Sequence, residues 1–394
     1  AGEITAMLAD ESLGRLTIVD QVITVNGATT VDNANLLGAT TTGKLTATIA
    51  TTETVTELAT LSADGGNNDL TIVIRADDAT VSTAAQLNTI NAATALAVDL
   101  TNVTALAGSS LSDLETFASA VNANEFSNDS GLTTVAVTDT TIDATTLAST
   151  IDAYDGINGG GTTDMTLVSG ATINVDAGEI TAMLADESLG RLTIADQAIT
   201  VNSAATISVD TANLLKATTT GVVTASIATT ESVSELNTLT GTTGAYTIVV
   251  ASGDGTSTTA AQLNTLNGKT TVAVNLTNVT ALAGSSLSDL ETLASAITAP
   301  GDLALVPNPT YPIHAYGFMI AGGTLRHIPA LNNGIFDPEE YMNSLSRAVA
   351  HSIPKPIAIV ISFPSNPTAQ LCDLDFYKEL VKFAKKRSIW ILSD

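Results

Sequence analysis

The sequence predicts two joined architectures: a repeat solenoid, β or α/β, of strands and short helices over residues 1–297, then a partial doubly wound α/β domain over 298–394. Three observations predict this. The segment AGEITAMLADESLGRLTI at Ala1 returns unchanged at Ala177, and LTNVTALAGSSLSDLET stands at both Leu100 and Leu276. All ten prolines, all three histidines, the one cysteine and the one tryptophan lie at or after Pro300. Residues 1–297 carry 32 acidic against 6 basic side chains, while residues 301–394 carry 8 of each, so the net charge of −26 belongs to the first part.

The identical segments set a repeat of 176 residues. Within it a looser motif recurs, leucines at helical spacing followed by an alternating β-branched stretch, as in VTELATL then LTIVIR. Leu8, Leu37, Leu58, Leu87, Leu114, Leu147 and Leu184 mark successive helical turns, a step of about 29 residues, and periods of roughly 20 to 50 residues signal stacked units. Thr, Val and Ile fill the alternating stretches because β-branched side chains suit a pleated surface. The helical pieces are too short to stand alone and need that surface to pack on.

Chemistry in this acidic part is restricted. It holds no His or Cys, so neither a zinc site nor a Cys/His or Ser/His nucleophile can be assembled there. The Asp-rich loops SADGGNNDL and DGINGGGTTDM could offer oxygen ligands to calcium. Neither has the twelve-residue EF-hand spacing or the glycine-rich nonapeptide, so they read as solvated turns and no metal site is expected. A surface of one sign repels nucleic acid and anionic membranes. No apolar run reaches the roughly 18 residues of a membrane span. Cys372, being alone, forms no internal disulfide and reads as a buried thiol. The start lacks Met and a leader, so the true N-terminus is expected to be absent. In composition this part resembles large acidic repeat proteins of marine bacteria, which implies a cell-surface or secreted location.

From Gly301 the rhythm lengthens. LALVP reads as a strand, PIHAYGFMIA as a helix closed by Gly322 and Gly323, and TLRHIPA as a second strand. Asp337 then Pro338 is a helix start, a capping carboxylate followed by a proline whose missing N–H costs nothing there. PIAIVISF is a continuous apolar run, expected of a strand covered on both faces. DLDFYKELVKFAKKR reads as a helix with Leu374, Tyr377, Leu380, Val381 and Ala384 on one face, and IWILSD closes as a strand. In such sheets ligands bind beyond the carboxyl ends of the strands, where NPTYPIH, PSNPT and Asp394 fall.

GDLALVPNPTYPIHAYG, FPSNPTAQ and DLDFYKELVKFAKKRSIWILSD, in that order, resemble the middle of the large domain of class I/II (fold type I) pyridoxal-phosphate-dependent aminotransferases. The resemblance covers about residues 294–394 and is nearest to the alanine-forming and LL-diaminopimelate-type subgroup. It implies pyridoxal 5′-phosphate as cofactor, amino-acid and 2-oxo-acid substrates, a cytoplasmic location and a homodimer. It further implies that Asp394 pairs with the protonated pyridine nitrogen and that Asn366 hydrogen-bonds the cofactor's phenolic oxygen. Tyr311 would stack on the ring, and His314 would support the Asp carboxylate. The residues alone also admit plainer roles: a helix cap or solvated turn for Asp394, an Asn-Pro turn for Asn366, packing for Tyr311 and a helix-surface position for His314.

The family's Schiff-base lysine would follow Asp394. None of Lys378, Lys382, Lys385 or Lys386 replaces it, because all sit on the helix before the last strand, so no catalytic residue is assigned and the chain is expected to be inactive. At the junction LASAI is followed, after the single residue Thr298, by APGD with no linker, an arrangement expected of a gene fusion or assembly artefact, since natural boundaries fall in polar linkers. A structural or adhesive surface protein is the alternative reading.

Overall fold

The computed structural model describes residues 2–62, 67–155, 157, 162–297 and 301–393. The chain divides into two compact units. One comprises Ala1–Glu231, Thr238–Ile248 and Lys269–Ala273, the other Ser232–Asn237, Val249–Gly268 and Val274–Asp394. Residues 298–300, at the expected junction, residues 156 and 158–161 of the DGINGGGTTDM loop and residues 63–66 of the SADGGNNDL loop lie outside the described residues. No helix among the described residues is long and apolar enough to cross a membrane.

In the first unit short helices form because side chains satisfy their free N–H groups. Thr30 caps Val31–Thr40 and Ser110 caps Leu111–Asn122. Thr54 with Glu57 and Thr83 with Gln86 form reciprocal capping boxes on Val55–Leu58 and Ala84–Ala92. Each helix is then held by burial, with Leu37, Leu58, Leu87, Leu114 and Leu147 all inaccessible to solvent. The strands alternate as their sequences require: Leu45, Ala47 and Ile49 are buried, while Thr46 and Thr48 are not.

The solenoid expected over residues 1–297 is corrected by the sheets themselves. Here Thr172–Val175 pairs in parallel with Thr141–Asp143 and Ala198–Val201. Asp164–Leu167, just before it, pairs instead with Thr134–Val137 and Leu192–Thr193 in a different sheet. Gly170, at φ +71°, makes the turn that sends the two neighbours to different sheets. Ile23–Thr29 edges a third, three-stranded sheet. The unit is mixed α/β with its parallel strands shared among separate sheets.

The two identical segments fold alike locally and are buried differently. Gly14 and Gly190 take the same left-handed turn, φ 68° and 69°. Arg15 N–H donates to Asp10 O at 2.8 Å and Arg191 N–H to Asp186 O at 2.9 Å. In helix Ile180–Ser188, Ile180, Met183 and Asp186 are buried, whereas helix Gly2–Ser12 buries none of its residues.

In the second unit, capping boxes at Ser232/Glu235 and Thr259/Gln262 start the helices Val233–Leu236 and Ala260–Asn267. Its C-terminal part follows the expected alternation: β1 (Leu303–Asn308), α1 (Pro312–Ile320), β2 (Thr324–Pro329), α2 (Pro338–Ala350), β3 (Pro356–Ile361), α3 (Leu374–Lys385) and β4 (Trp390–Ser393). All four strands are parallel, in the order β2-β1-β3-β4. Leu305, Ile359 and Ile361 point to the face that α2 and α3 cover with Leu345, Ala348, Phe376 and Leu380. Ala304, Val306, Ala358 and Val360 point to the other face, against Phe318 of α1. Helices on both faces make the sheet doubly wound, which explains the unbroken apolar run of β3.

Two details differ from expectation. A small hairpin, Leu331–Asn332 with Ile335–Phe336, precedes α2 and turns at Asn333 and Gly334, both at positive φ. The buried line of α3 is Phe376, Leu380 and Ala384, while Leu374 and Val381 are exposed. Phe376 sets that rotation by packing edge-on against Phe336 and Phe363. Cys372 is partly buried against the same cluster, and burial pushes its thiol pKa up.

Candidate functional site

The strand order locates the site. From β1 the chain crosses to β2 on one side, with α1 on one face, then crosses back past β1 to β3 with α2 on the other face. The loops leaving β1 and β3 therefore diverge, and a crevice opens between their carboxyl ends. That crevice is occupied by a cleft lined by Pro309 and Thr310 after β1, by Ser362, Phe363 and Asn366 after β3, and by Phe336 and Tyr341 beneath.

Thr310 and His314 are joined across the first turn of α1, with Thr310 Oγ1 and His314 Nδ1 2.9 Å apart. His314 is buried, contrary to its helix-surface alternative. Tyr311, 44% exposed, is the N-cap residue of α1, its ring edge-on to the His314 ring at 5.8 Å between centroids. Pro312 follows at the first helical position, where its fixed φ suits the start of the helix. The turn thus presents the Tyr311 ring outward while anchoring His314 inward.

Asn366 sits in the loop after β3 and lines the cleft; among the described residues its side-chain amide makes no hydrogen bond. The loop is fastened around it. Ser365 N–H donates to Gln370 O at 2.9 Å, Gln370 N–H donates to Ser365 Oγ at 2.9 Å, and Gln370 Oε1 accepts from Phe336 N–H at 3.0 Å. Asn308–Pro309 and Asn366–Pro367, on the two sides of the cleft, are both cis. Thr310 and Asn366 are brought to one cleft; Tyr311 and His314 stand beside it on α1. Asp394 lies outside the described residues; Ser393, the last one described, pairs with Ile361 at the end of β3.

Sequence reading missed Thr310, Gln370 and Tyr341. Gln370 lies in the FPSNPTAQ motif but reads as an ordinary loop residue, because its partner Phe336 is 34 residues away. Tyr341 belongs to the core face of α2. Its hydroxyl is buried without a partner among the described residues, and burial pushes its pKa well up. Lys378, Lys382 and Lys385 on α3 and Lys386 just after it are exposed and none lines the cleft, and Lys378 Nζ holds Asp375 at 2.9 Å.

Comparison with known proteins bears on this cleft. Residues 250–394 match the family model of aminotransferase class I and II. A putative aminotransferase AatC of Rhizobium meliloti is 52% identical over 118 residues, 30% of this chain and 28% of that protein. The glutamate-pyruvate aminotransferase AlaC of Escherichia coli is 45% identical over 94 residues, 24% of this chain and 22% of that protein. A solved structure of substrate-bound BacF from Bacillus subtilis is 32% identical, with a TM-score of 0.22, covering 27% of this chain and 25% of that one. The chain thus spans about a quarter of the length of the curated relatives it matches.

The cofactor of that family is pyridoxal 5′-phosphate. The described residues fit part of it: a flat ring needs an apolar face and a donor at its edge, and Tyr311 offers an exposed aromatic face while Asn366 offers an amide with no partner among the described residues. It is to the class I and II aminotransferases that the stretch holding this cleft is similar.

Proposed function

We propose that residues 298–394 are the cofactor-holding part of a pyridoxal-phosphate-dependent amino-acid aminotransferase, an enzyme moving an amino group between an amino acid and a 2-oxo acid. The observation that carries this reading is the cleft at the strand-order reversal, with the unpaired Asn366 amide on its wall and the outward Tyr311 ring beside it. The cofactor, when bound, supplies an electron sink for the substrate's α-carbon. Tyr311 covers one face of its ring. Asn366 donates its amide N–H to the phenolic oxygen. Asp394, as a carboxylate, holds a proton on the pyridine nitrogen, since an adjacent negative charge favours the charged form of a base. His314, oriented by Thr310, steadies that arrangement from beneath.

The relatives named glutamate-pyruvate and LL-diaminopimelate aminotransferase support an amino-acid donor and a 2-oxo-acid acceptor. The test is a hybrid in which residues 301–394 replace the matching segment of the Escherichia coli AlaC protein. The hybrid is expected to bind pyridoxal phosphate, read by absorbance, and to transaminate. A folded hybrid that takes up no cofactor contradicts the assignment.

A further inference from the structure

Helices Val31–Thr40 and Val209–Thr218 stand at equivalent places in the repeat, VDNANLLGAT against VDTANLLKAT, and each runs into Thr-Thr-Gly. The turns that follow are bonded alike. Thr41 and Thr219 close the helices at φ −125° and −127°, and their hydroxyls donate to Gln21 O at 2.7 Å and to Gln197 O at 2.6 Å. Gly43 N–H and Gly221 N–H each donate to that threonine's Oγ1 at 2.9 Å. Asn35 and Asn213 donate to Thr60 O at 2.9 Å and to Thr238 O at 3.1 Å. These bonds run within residues 21–60 in one copy and 197–238 in the other, so each frame is complete in itself.

The two frames differ in what they hold. Lys216 Nζ donates to Thr219 O at 3.4 Å, Thr220 O at 3.3 Å and Gly221 O at 2.9 Å, three carbonyls just past a helix C-terminus, where the dipole favours a cation. Gly38 stands in the place of Lys216, inside a helix and without the positive φ that would call for glycine, and a Cβ on it would meet nothing within 4 Å. Leu70 stands where the larger Tyr246 does, opposite Ala47 as Tyr246 is opposite Ala225. A cleft of about 100 Å³ opens beside Gly38, walled by Ala34, Leu45, Leu61, Leu70 and Asn68, whose Oδ1 accepts from Leu45 N–H at 3.0 Å. Thr41 O, Thr42 O and Gly43 O, the counterparts of the carbonyls on Lys216, accept no hydrogen bond among the described residues. Lys44, next in sequence, is held by Asp69 at 2.6 Å instead.

We propose that this cleft binds a small primary alkylammonium ion of about four carbons, the length of a lysine stem. Its ammonium sits on the carbonyls of Thr41, Thr42 and Gly43 as the Lys216 ammonium sits on theirs, and its chain lies past Gly38 along Leu45, Leu61 and Leu70. The cleft is the size of one such chain. The net charge of −26 gathers cations at the surface and favours a charged ligand over a neutral one of the same shape.

The test titrates the full chain with n-butylammonium, followed by calorimetry and by amide hydrogen exchange. One equivalent is expected to bind with a dissociation constant of about 1 mM and to slow exchange in the lining residues from Ala34 to Leu45. Gly38→Lys supplies the side chain that the equivalent frame already seats, and, with its fold checked by circular dichroism, is expected to abolish the binding. Lys216→Gly combined with Tyr246→Leu is expected to create a second site, so that two equivalents bind. n-Butanol, which lacks the charge, is expected to bind about tenfold more weakly. No saturable binding to the parent at about 100 mM amine, undiminished binding by a folded Gly38→Lys chain, or equal binding of n-butanol overturns the proposal. Nα-acetyl-lysine amide binding about tenfold more tightly than n-butylammonium also overturns it, since a lysine of another polypeptide would then be the occupant.

Discussion

Segments 1–18 and 177–194 share every residue and the same helix-ending turn, yet one lies open and the other is built into a core. Asp186 is 6% exposed; Asp10, its counterpart, is half exposed. The difference goes with the neighbour: among the described residues, Asp152, Asp155 and the strand Thr172–Val175 lie against the second copy. Local sequence sets the helix, its cap and its apolar stripe. What the stripe contributes to stability depends on a surface that sequence identity alone does not supply.

Paired substitutions can break this comparison. Arg191→Ala leaves Asp186 buried without its cation and is expected to cost about 3 kcal/mol, as when one partner of a largely buried pair is removed. Arg15→Ala removes an exposed pair and is expected to cost no more than about 0.5 kcal/mol. Urea denaturation of both variants checks the ratio, and equal losses would mean that burial is not what distinguishes the copies. Met183→Ala, in the buried copy, is expected to cost about 2 kcal/mol and Met7→Ala less than about 1 kcal/mol, read in the same way.

Smaller effects sharpen the distinction between what is local and what is not. Thr83→Ala breaks the reciprocal cap with Gln86 and is expected to cost about 1 kcal/mol, recovered in part by Thr83→Ser. The smallest effect is one of pH. Hydrogen bonds from the Thr54 backbone N–H and hydroxyl hold the Glu57 carboxyl below its ordinary 4.5. A depressed folded-state value stabilises above the unfolded pKa, and that stabilisation is lost as pH falls through the folded one. Glu57→Gln is therefore expected to lower stability slightly at pH 7, where the carboxylate is charged, to leave it unchanged in strong acid, and so to flatten the acid limb of stability below about pH 4.5, as thermal melts across pH 2–7 would show.

The same division explains what was legible in the sequence. All seven main elements after Gly301 were readable, because caps such as Asp337–Pro338 and the apolar run of β3 are local signals. The hairpin at Asn333–Gly334 carries a local signal as well, its Asn-Gly turn. The rotation of α3 was not legible, because Leu374 and Phe376 are both apolar and only the aromatic cluster around Phe336 selects the latter. In the acidic part the leucine spacing gave the helices, but the solenoid inference failed because periodicity does not say which sheet a strand joins. At the site, Tyr311, His314 and Asn366 were carried by a motif, whereas Gln370 and Tyr341 act through partners distant in sequence.

The proposed cofactor role is tested most directly by transamination rates in the hybrid carrying residues 301–394. Asp394→Ala is expected to lower turnover about a thousandfold, because the pyridine nitrogen loses the charge that keeps it protonated, whereas Asn366→Ala, losing one neutral hydrogen bond, lowers it about tenfold. Tyr311→Phe keeps most activity, since the ring rather than the hydroxyl does the covering. A well-folded hybrid in which Asp394→Ala turns over at nearly the parental rate would contradict the account.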